Sequence, residues 1–89
     1  MALTHEIQTE IGVPAKYFHI NRIDCYPRDR VFDLSVKGFV SYEARLEGSR
    51  NIYTFTKRYE YPEGEIEISH ATAYALLKQE PQFIGAEDG

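Results

Sequence analysis

The chain has 89 residues, a net charge of −4 at pH 7 and an isoelectric point near 5.3. That length holds one domain and leaves no room for a catalytic domain beside a regulatory one. The acidic balance argues against a general phosphate-binding surface, which needs clustered Lys and Arg. The single cysteine, Cys25, excludes an internal disulfide and a cysteine-based zinc cage.

The opening "MALTHEIQTE" has no basic start and no apolar run of signal-peptide length, and no segment reaches the roughly 20 apolar residues of a membrane span. The expectation is synthesis and folding in a reducing cytoplasm, with no membrane partner. Seven Tyr, five Phe and no Trp point to an aromatic core built on strands.

"LTHEIQTEI" at 3–11 alternates, with Leu3, Ile7 and Ile11 on one face, and predicts a first strand. "GVP" at 12–14 breaks it. "KYFHINRIDCY" at 16–26 predicts a second strand. Phe18 and Ile20 share one parity, Ile23 and Cys25 the other, which places a bulge near Asn21–Arg22. "PRD" at 27–29 is a turn. "VFDLSVKGFVSYEAR" at 31–45 predicts the third and longest strand, with Phe32, Leu34, Val36, Val40 and Tyr42 inward and Phe39 outward. Gly38, on the apolar parity, marks a place where a bulky neighbour approaches closely.

"LEGSRN" at 46–51 reads as a hairpin tip. "IYTFTKRYEY" at 52–61 returns as a fourth strand with Tyr53, Phe55, Tyr59 and Tyr61 inward. After "PEGE", Ile66, His70, Ala73, Tyr74 and Leu77 have the spacing of one helical face. Ser69 as N-cap would give a shorter helix with "IEI" still extended. Glu63, Glu65 and Glu67 suit the positive end of the helix dipole. Pro81 disfavours helical dihedrals at Glu80 and ends the helix. Phe83 and Ile84 then fold back over the seam between helix and sheet.

The predicted fold is α+β: an antiparallel four-stranded sheet with a C-terminal helix packed on one face, in the order ββββα. One domain spans 1–84, and 85–89 forms a flexible acidic tail. One helix covers only part of such a sheet, so apolar surface left open is expected to drive self-association.

No residue set demands catalysis. His5, His19 and His70 do not bring three or four ligands together. His19 and Cys25, six residues apart on one strand, are separated by about 20 Å. Cys25 reads as a small apolar strand residue before it reads as a nucleophile. The carboxylates at Glu63, Glu65, Glu67, Glu87 and Asp88 read as a first helical turn and a solvated tail, because paired acid–base work needs a pocket this fold has little volume for. Arg45, Arg50, Lys57 and Arg58 lie near aromatics, but those aromatics face the core and Glu60 dilutes the charge. No enzyme activity, metal, cofactor, small-molecule ligand or nucleic acid is expected.

The close "AYALLKQEPQFIGAEDG" resembles the "AY-x-x-LK-x-x-P-x-F-x-x-A-x-D" ending of short proteins encoded among the tail and virion genes of tailed bacteriophages and prophages. Ala73, Tyr74, Leu77, Lys78, Pro81, Phe83, Ala86 and Asp88 carry the likeness. "VFDLSVKGFVSYEARLEG" is similar to the central strand of that group and "YTFTKRYEYPEGE" to its returning aromatic strand. The resemblance implies a structural role in the virion, tail-associated, with no catalytic residues to carry over. Its partners would be further copies or other tail proteins, and its place the virion after synthesis in the bacterial host cytoplasm. Phe39, Arg45, Arg50, Phe83 and Ile84 are the expected contact residues. The alternative is a small monomeric protein of a phage or mobile element that binds and modulates a host protein, its acidic surface meeting a basic target.

Overall fold

A computed structural model describes residues 2–48, 50–65 and 67–89. The fold is α+β, and the sheet has five antiparallel strands rather than four. They are β1 (Leu3–Ile7), β2 (Ala15–Tyr26), β3 (Val31–Phe39), β4 (Tyr53–Glu60) and β5 (Glu87–Asp88), in the order β4-β3-β2-β1-β5. Two helices interrupt them, α1 (Tyr42–Leu46) between β3 and β4 and α2 (His70–Leu77) after β4. A 3-10 turn at Pro81–Phe83 leads into β5.

β1 stops at Ile7, not at residue 11. Gly12 has φ +84° and its N–H donates to the Thr9 carbonyl at 3.1 Å, so residues 9–12 close a turn before the alternation can continue. The bulge expected in β2 is present. Its register against β3 shifts between Ile20 and Arg22, so Ile20 pairs with Val36 and Ile23 with Leu34. One extra residue moves the apolar set from one parity to the other and keeps it on a single face. Gly38 pairs with Phe18, and a Cβ built on Gly38 would lie 2.8 Å from the Phe18 ring.

The largest departure follows Phe39. β3 ends there, and residues 42–46 are helical instead of extended. Ser41 is the cause that can be named. It adopts φ −160°, ψ 170°, and its Oγ accepts from the Ala44 N–H at 3.1 Å. Behind it runs "EARLE", five strong helix formers, and the local preference overrides the alternation of Val40 and Tyr42. Those two side chains, expected inward, are exposed. The hairpin tip expected at 46–51 becomes the end of α1 and a loop; Ser49 within it lies outside the described residues.

α2 takes the shorter of the two expected forms. Ser69 caps it through a 3.1 Å bond from the Thr72 N–H. Ile66, assigned to the helical face by spacing, lies outside the described residues. Glu63, Glu65 and Glu67 precede the helix and are exposed, so its first turn carries no acid. Glu80 has the extended dihedrals that the following Pro81 imposes.

The core joins both layers. Leu3, Phe18, Ile20, Phe32, Leu34 and Val36 of the sheet are buried together with Ala73, Tyr74 and Leu77 of α2. Phe83 completes it, edge-on to Phe18 with ring centroids 5.1 Å apart and to Phe55 at 6.0 Å. Tyr59 stacks on Phe32 at 5.6 Å, and Tyr61 meets the same ring at 5.8 Å. Aromatic side chains thus spread over the part of the sheet that an eight-residue helix leaves bare. The expectation of an open apolar sheet face is overturned: the six sheet residues of this core are at most 1% exposed.

The tail expected to hang free instead supplies a strand. Leu3 pairs with Asp88 and Thr4 with Glu87, and the Gly89 N–H donates to the Ala2 carbonyl at 3.0 Å. Lys78 reaches Asp88 at 2.8 Å.

Candidate functional site

The second face of the sheet is polar. Register places Arg22, Asp24, Asp33, Ser35, Lys37, Thr54, Thr56 and Arg58 on it. Arg58 donates to Asp33 through Nε at 2.8 Å and Nη2 at 3.2 Å, which holds the carboxyl below its usual range. Arg22 binds Asp24 at 2.9 Å, and the Arg58 guanidinium lies 5.3 Å from the Tyr26 ring centre. These are exposed pairs that make a solvated surface, not a reaction site. Among the described residues no three His, Cys, Asp or Glu side chains gather to hold a metal, and no helix is long and apolar enough to cross a membrane. Cys25 is exposed near the far end of β2.

Both borders of the sheet are charged. The outer strand β4 carries Lys57, Arg58 and Glu60, and β5 consists of Glu87 and Asp88. Charges of this kind discourage edge-to-edge pairing. Lys57 is also engaged. Its Nζ bonds Glu80 at 2.7 Å, and the Tyr59 hydroxyl donates to the same carboxylate oxygen at 2.8 Å. The Lys57 bond is the main cause that lowers the Glu80 pKa, while burial and then Glu80 raise that of Tyr59. The trio fastens the exit of α2 to β4. Tyr74 makes a second tie: its hydroxyl accepts from the Ile20 N–H at 2.9 Å, beside the bulge.

What is left for recognition lies at one end of the sheet. The antiparallel hairpins place the β1–β2 loop (8–14) and the β3–β4 segment (40–52) at the same end. Of the seven exposed large apolar residues among the described residues, five are there: Ile11, Val13, Val40, Tyr42 and Leu46. The other two are Tyr26 at the opposite end and Ile84 ahead of β5. Exposed apolar residues on neighbouring loops make that end the candidate interaction surface.

This end is built, not merely loose. The Thr9 hydroxyl donates to the Val13 carbonyl at 2.7 Å, which together with the Gly12 turn fixes Ile11 at the loop tip, 67% exposed. Tyr42 tilts against Tyr17 with centroids 5.3 Å apart, and Arg45 of α1 lies 3.3 Å from His19 Nε2 and 6.0 Å from the Tyr17 ring centre. Three hollows flank the end among the described residues. One, of about 460 Å³, lies between His5, Lys16, Tyr17, Val40 and Tyr42. A second, of about 480 Å³, lies between residues 8–11 and Ile52–Thr54, and a third, of about 490 Å³, between Ile11 and Arg50–Thr54.

The five expected contact residues divide. Phe83 is a correction: it is wholly buried in the core and has no surface to offer. Ile84 is 66% exposed and precedes β5, whose register on β1 directs it toward the end of β1 that leads into the 8–14 loop. Phe39 is half-buried at the end of β3. Arg45 and Arg50 belong to the apolar end, Arg45 folded onto His19 and Arg50 exposed. The expected contact residues omit all five: Ile11, Val13, Val40, Tyr42 and Leu46. The alternation places Ile11, Val40 and Tyr42 in strands, and the signal that reveals the last two is the Ser41 cap before a run of helix formers.

A scan against protein-family models and searches of curated proteins and of solved structures find no match.

Proposed function

We propose that the chain is a structural subunit of a phage or prophage particle, tail-associated, which works by docking the apolar end of its sheet onto neighbouring virion proteins or further copies of itself. The observation that carries the docking reading is the grouping of Ile11, Val13, Val40, Tyr42 and Leu46 at one end of a sheet whose apolar face is otherwise covered. The resemblance of the C-terminal stretch from Ala73 to Asp88 supports the virion setting. Apolar side chains held on short, hydrogen-bonded loops lose little conformational freedom on binding, which favours a permanent contact.

Mass spectrometry of purified particles, with the protein tagged in its native gene context, tests this. Stoichiometric recovery in tails supports the reading. Absence from particles of every assembly stage overturns it.

The second reading, a monomeric module that modulates a host protein, has its own observation. Asp29, Glu60, Glu63, Glu65 and Glu67 lie at the opposite end, where Arg28, Arg30 and Arg58 offset them in part. Such an end would steer toward a basic target. Absence from particles combined with recovery of one host protein that releases at high salt would favour it.

A further inference from the structure

We infer that His19 is a pH-sensitive latch for α1: as a neutral ring it holds the helix on the second face of the sheet through Arg45, and on protonation it lets the helix go. The inference concerns the molecule's own shape and stands apart from the docking reading above.

Register sets the placement. Phe18 and Ile20 face the core, so Tyr17 and His19 face the other way, opposite Phe39 and Lys37 of β3. α1 lies over that patch. Tyr42 tilts against Tyr17 with centroids 5.3 Å apart, and the Arg45 guanidinium lies 6.0 Å from the same ring centre. Tyr17, on the polar face of the sheet, is left only 8% exposed. Arg45 Nη2 reaches Nε2 of the half-buried His19 at 3.3 Å.

Hydrogen-bond chemistry fixes the charge state of that contact. A guanidinium has five donors, no acceptor, and stays protonated. Nε2 must therefore offer its lone pair, and the ring must be neutral. Protonating His19 turns Nε2 into a donor aimed at a donor and sets two cations side by side.

The surroundings make this worse rather than better. Lys37, directly across from His19, adds a third cation, and its own neighbour on β4 is the uncharged Thr54. β1 places Leu3 and Thr4 beside Phe18 and Tyr17, both uncharged. From α2 comes only the Tyr74 hydroxyl, bonded to the Ile20 N–H. The nearest acids are engaged elsewhere: Asp24 with Arg22 at 2.9 Å, and Asp88 of β5 with Lys78 at 2.8 Å. Glu43 and Glu47 of the α1 segment are exposed, and among the described residues neither they nor Arg45 nor Lys37 enter an ion pair.

α1 is also light enough to move alone. Five residues are far fewer than the ~12 an isolated helix needs, and none of its residues is fully buried. Its position depends on the Ser41 cap and on the contacts of Tyr42 and Arg45, while the core lies on the opposite face of the sheet. Tyr42 and Leu46 travel with it. Because the docked helix admits only the neutral ring, the latch is complete above the ordinary histidine value of about 6.5. It weakens as pH falls below that value, the ratio of docked to open helix dropping about tenfold for each further unit.

An NMR titration of the full chain tests this, run from pH 7.5 down to the point where the His19 ring is protonated. Three signals are followed: the His19 ring protons, the cross-relaxation between the Tyr17 and Tyr42 rings, and the helical carbon shifts of Ala44. Amides of Leu34 and Val36 report on the sheet. The expected result is loss of the Tyr17–Tyr42 contact and of the helical shifts in step with protonation of His19, with the sheet signals unchanged. In His19→Gln the side-chain carbonyl still accepts from Arg45 and does not titrate, so α1 should stay docked over the whole range. His5 and His70 remain in that variant, which separates their titration from that of His19. A helix that stays docked once the His19 ring is protonated overturns the inference, whatever the variant does. So does an acid-induced opening that persists in His19→Gln.

Discussion

Gly38 and Tyr74 show how closely single side chains are fixed here. The Phe18 ring occupies the place where a Cβ on Gly38 would stand, and the Tyr53 Cβ lies 3.0 Å from it. Phe18 cannot move aside freely, since Phe83 and Tyr53 meet its ring edge-on at 5.1 and 5.7 Å. Gly38→Ala is therefore expected to destabilise the fold by about 1–3 kcal/mol, the usual cost of overfilling a packed core. A denaturant midpoint equal to wild type would show that the ring has room after all. At Tyr74 the hydroxyl accepts the Ile20 N–H next to the bulge, in a buried setting. Tyr74→Phe leaves that donor without its acceptor and should lower stability by about 1–2 kcal/mol. Amide exchange at Ile20 should rise beyond what the loss of global stability explains, and an unchanged ratio would count against the bond.

At the scale of elements, β1–β4 and α2 were legible because their residues repeat a simple period and Ser69 and Pro81 punctuate the ends. The bulge was legible from the parity switch across Asn21. α1 was not, because Val40 and Tyr42 continue the alternation of β3 and only Ser41 gives the change away. β5 was not, because "AEDG" has no strand propensity and its order comes from pairing with Leu3 and Thr4, a contact between the two ends of the chain. The candidate site was misread for the same cause: residues assigned to strand interiors or the core turned out to be loop and helix residues facing solvent. Since α1 has no fully buried residue and is held by its cap and by the contacts of Tyr42 and Arg45 with Tyr17 and His19, Ser41→Ala should open it locally. Exchange protection at Ala44 is expected to fall by a factor matching about 1 kcal/mol, while the global midpoint moves by less than about 0.5 kcal/mol. A global loss as large as the local one would mean that α1 unfolds only with the sheet.

For the whole molecule, the tie between α2 and β4 is expected to make stability depend on pH in the acid range. Glu80 is largely buried on its side chain, 12% exposed, and it accepts from both Lys57 and Tyr59. Its folded carboxyl binds a proton more weakly than in the unfolded chain, mainly because of Lys57. The resulting stabilisation is fully present above the unfolded value near 4.5 and disappears as pH falls through the lower folded value. Asp33 is shifted the same way by Arg58, but that pair stands in solvent and adds little. Lys57 is itself 48% exposed, so the Glu80 contribution is about 1 kcal/mol, below what a fully buried charged bond would give. Glu80→Gln keeps an oxygen to accept from Tyr59 and removes the charge. At pH 7 it should unfold at lower denaturant than wild type by that amount, and the gap should close between pH 5 and pH 3, roughly the carboxylate range. A gap that stays constant with pH would assign Glu80 a packing role and move the acid sensitivity elsewhere in the chain.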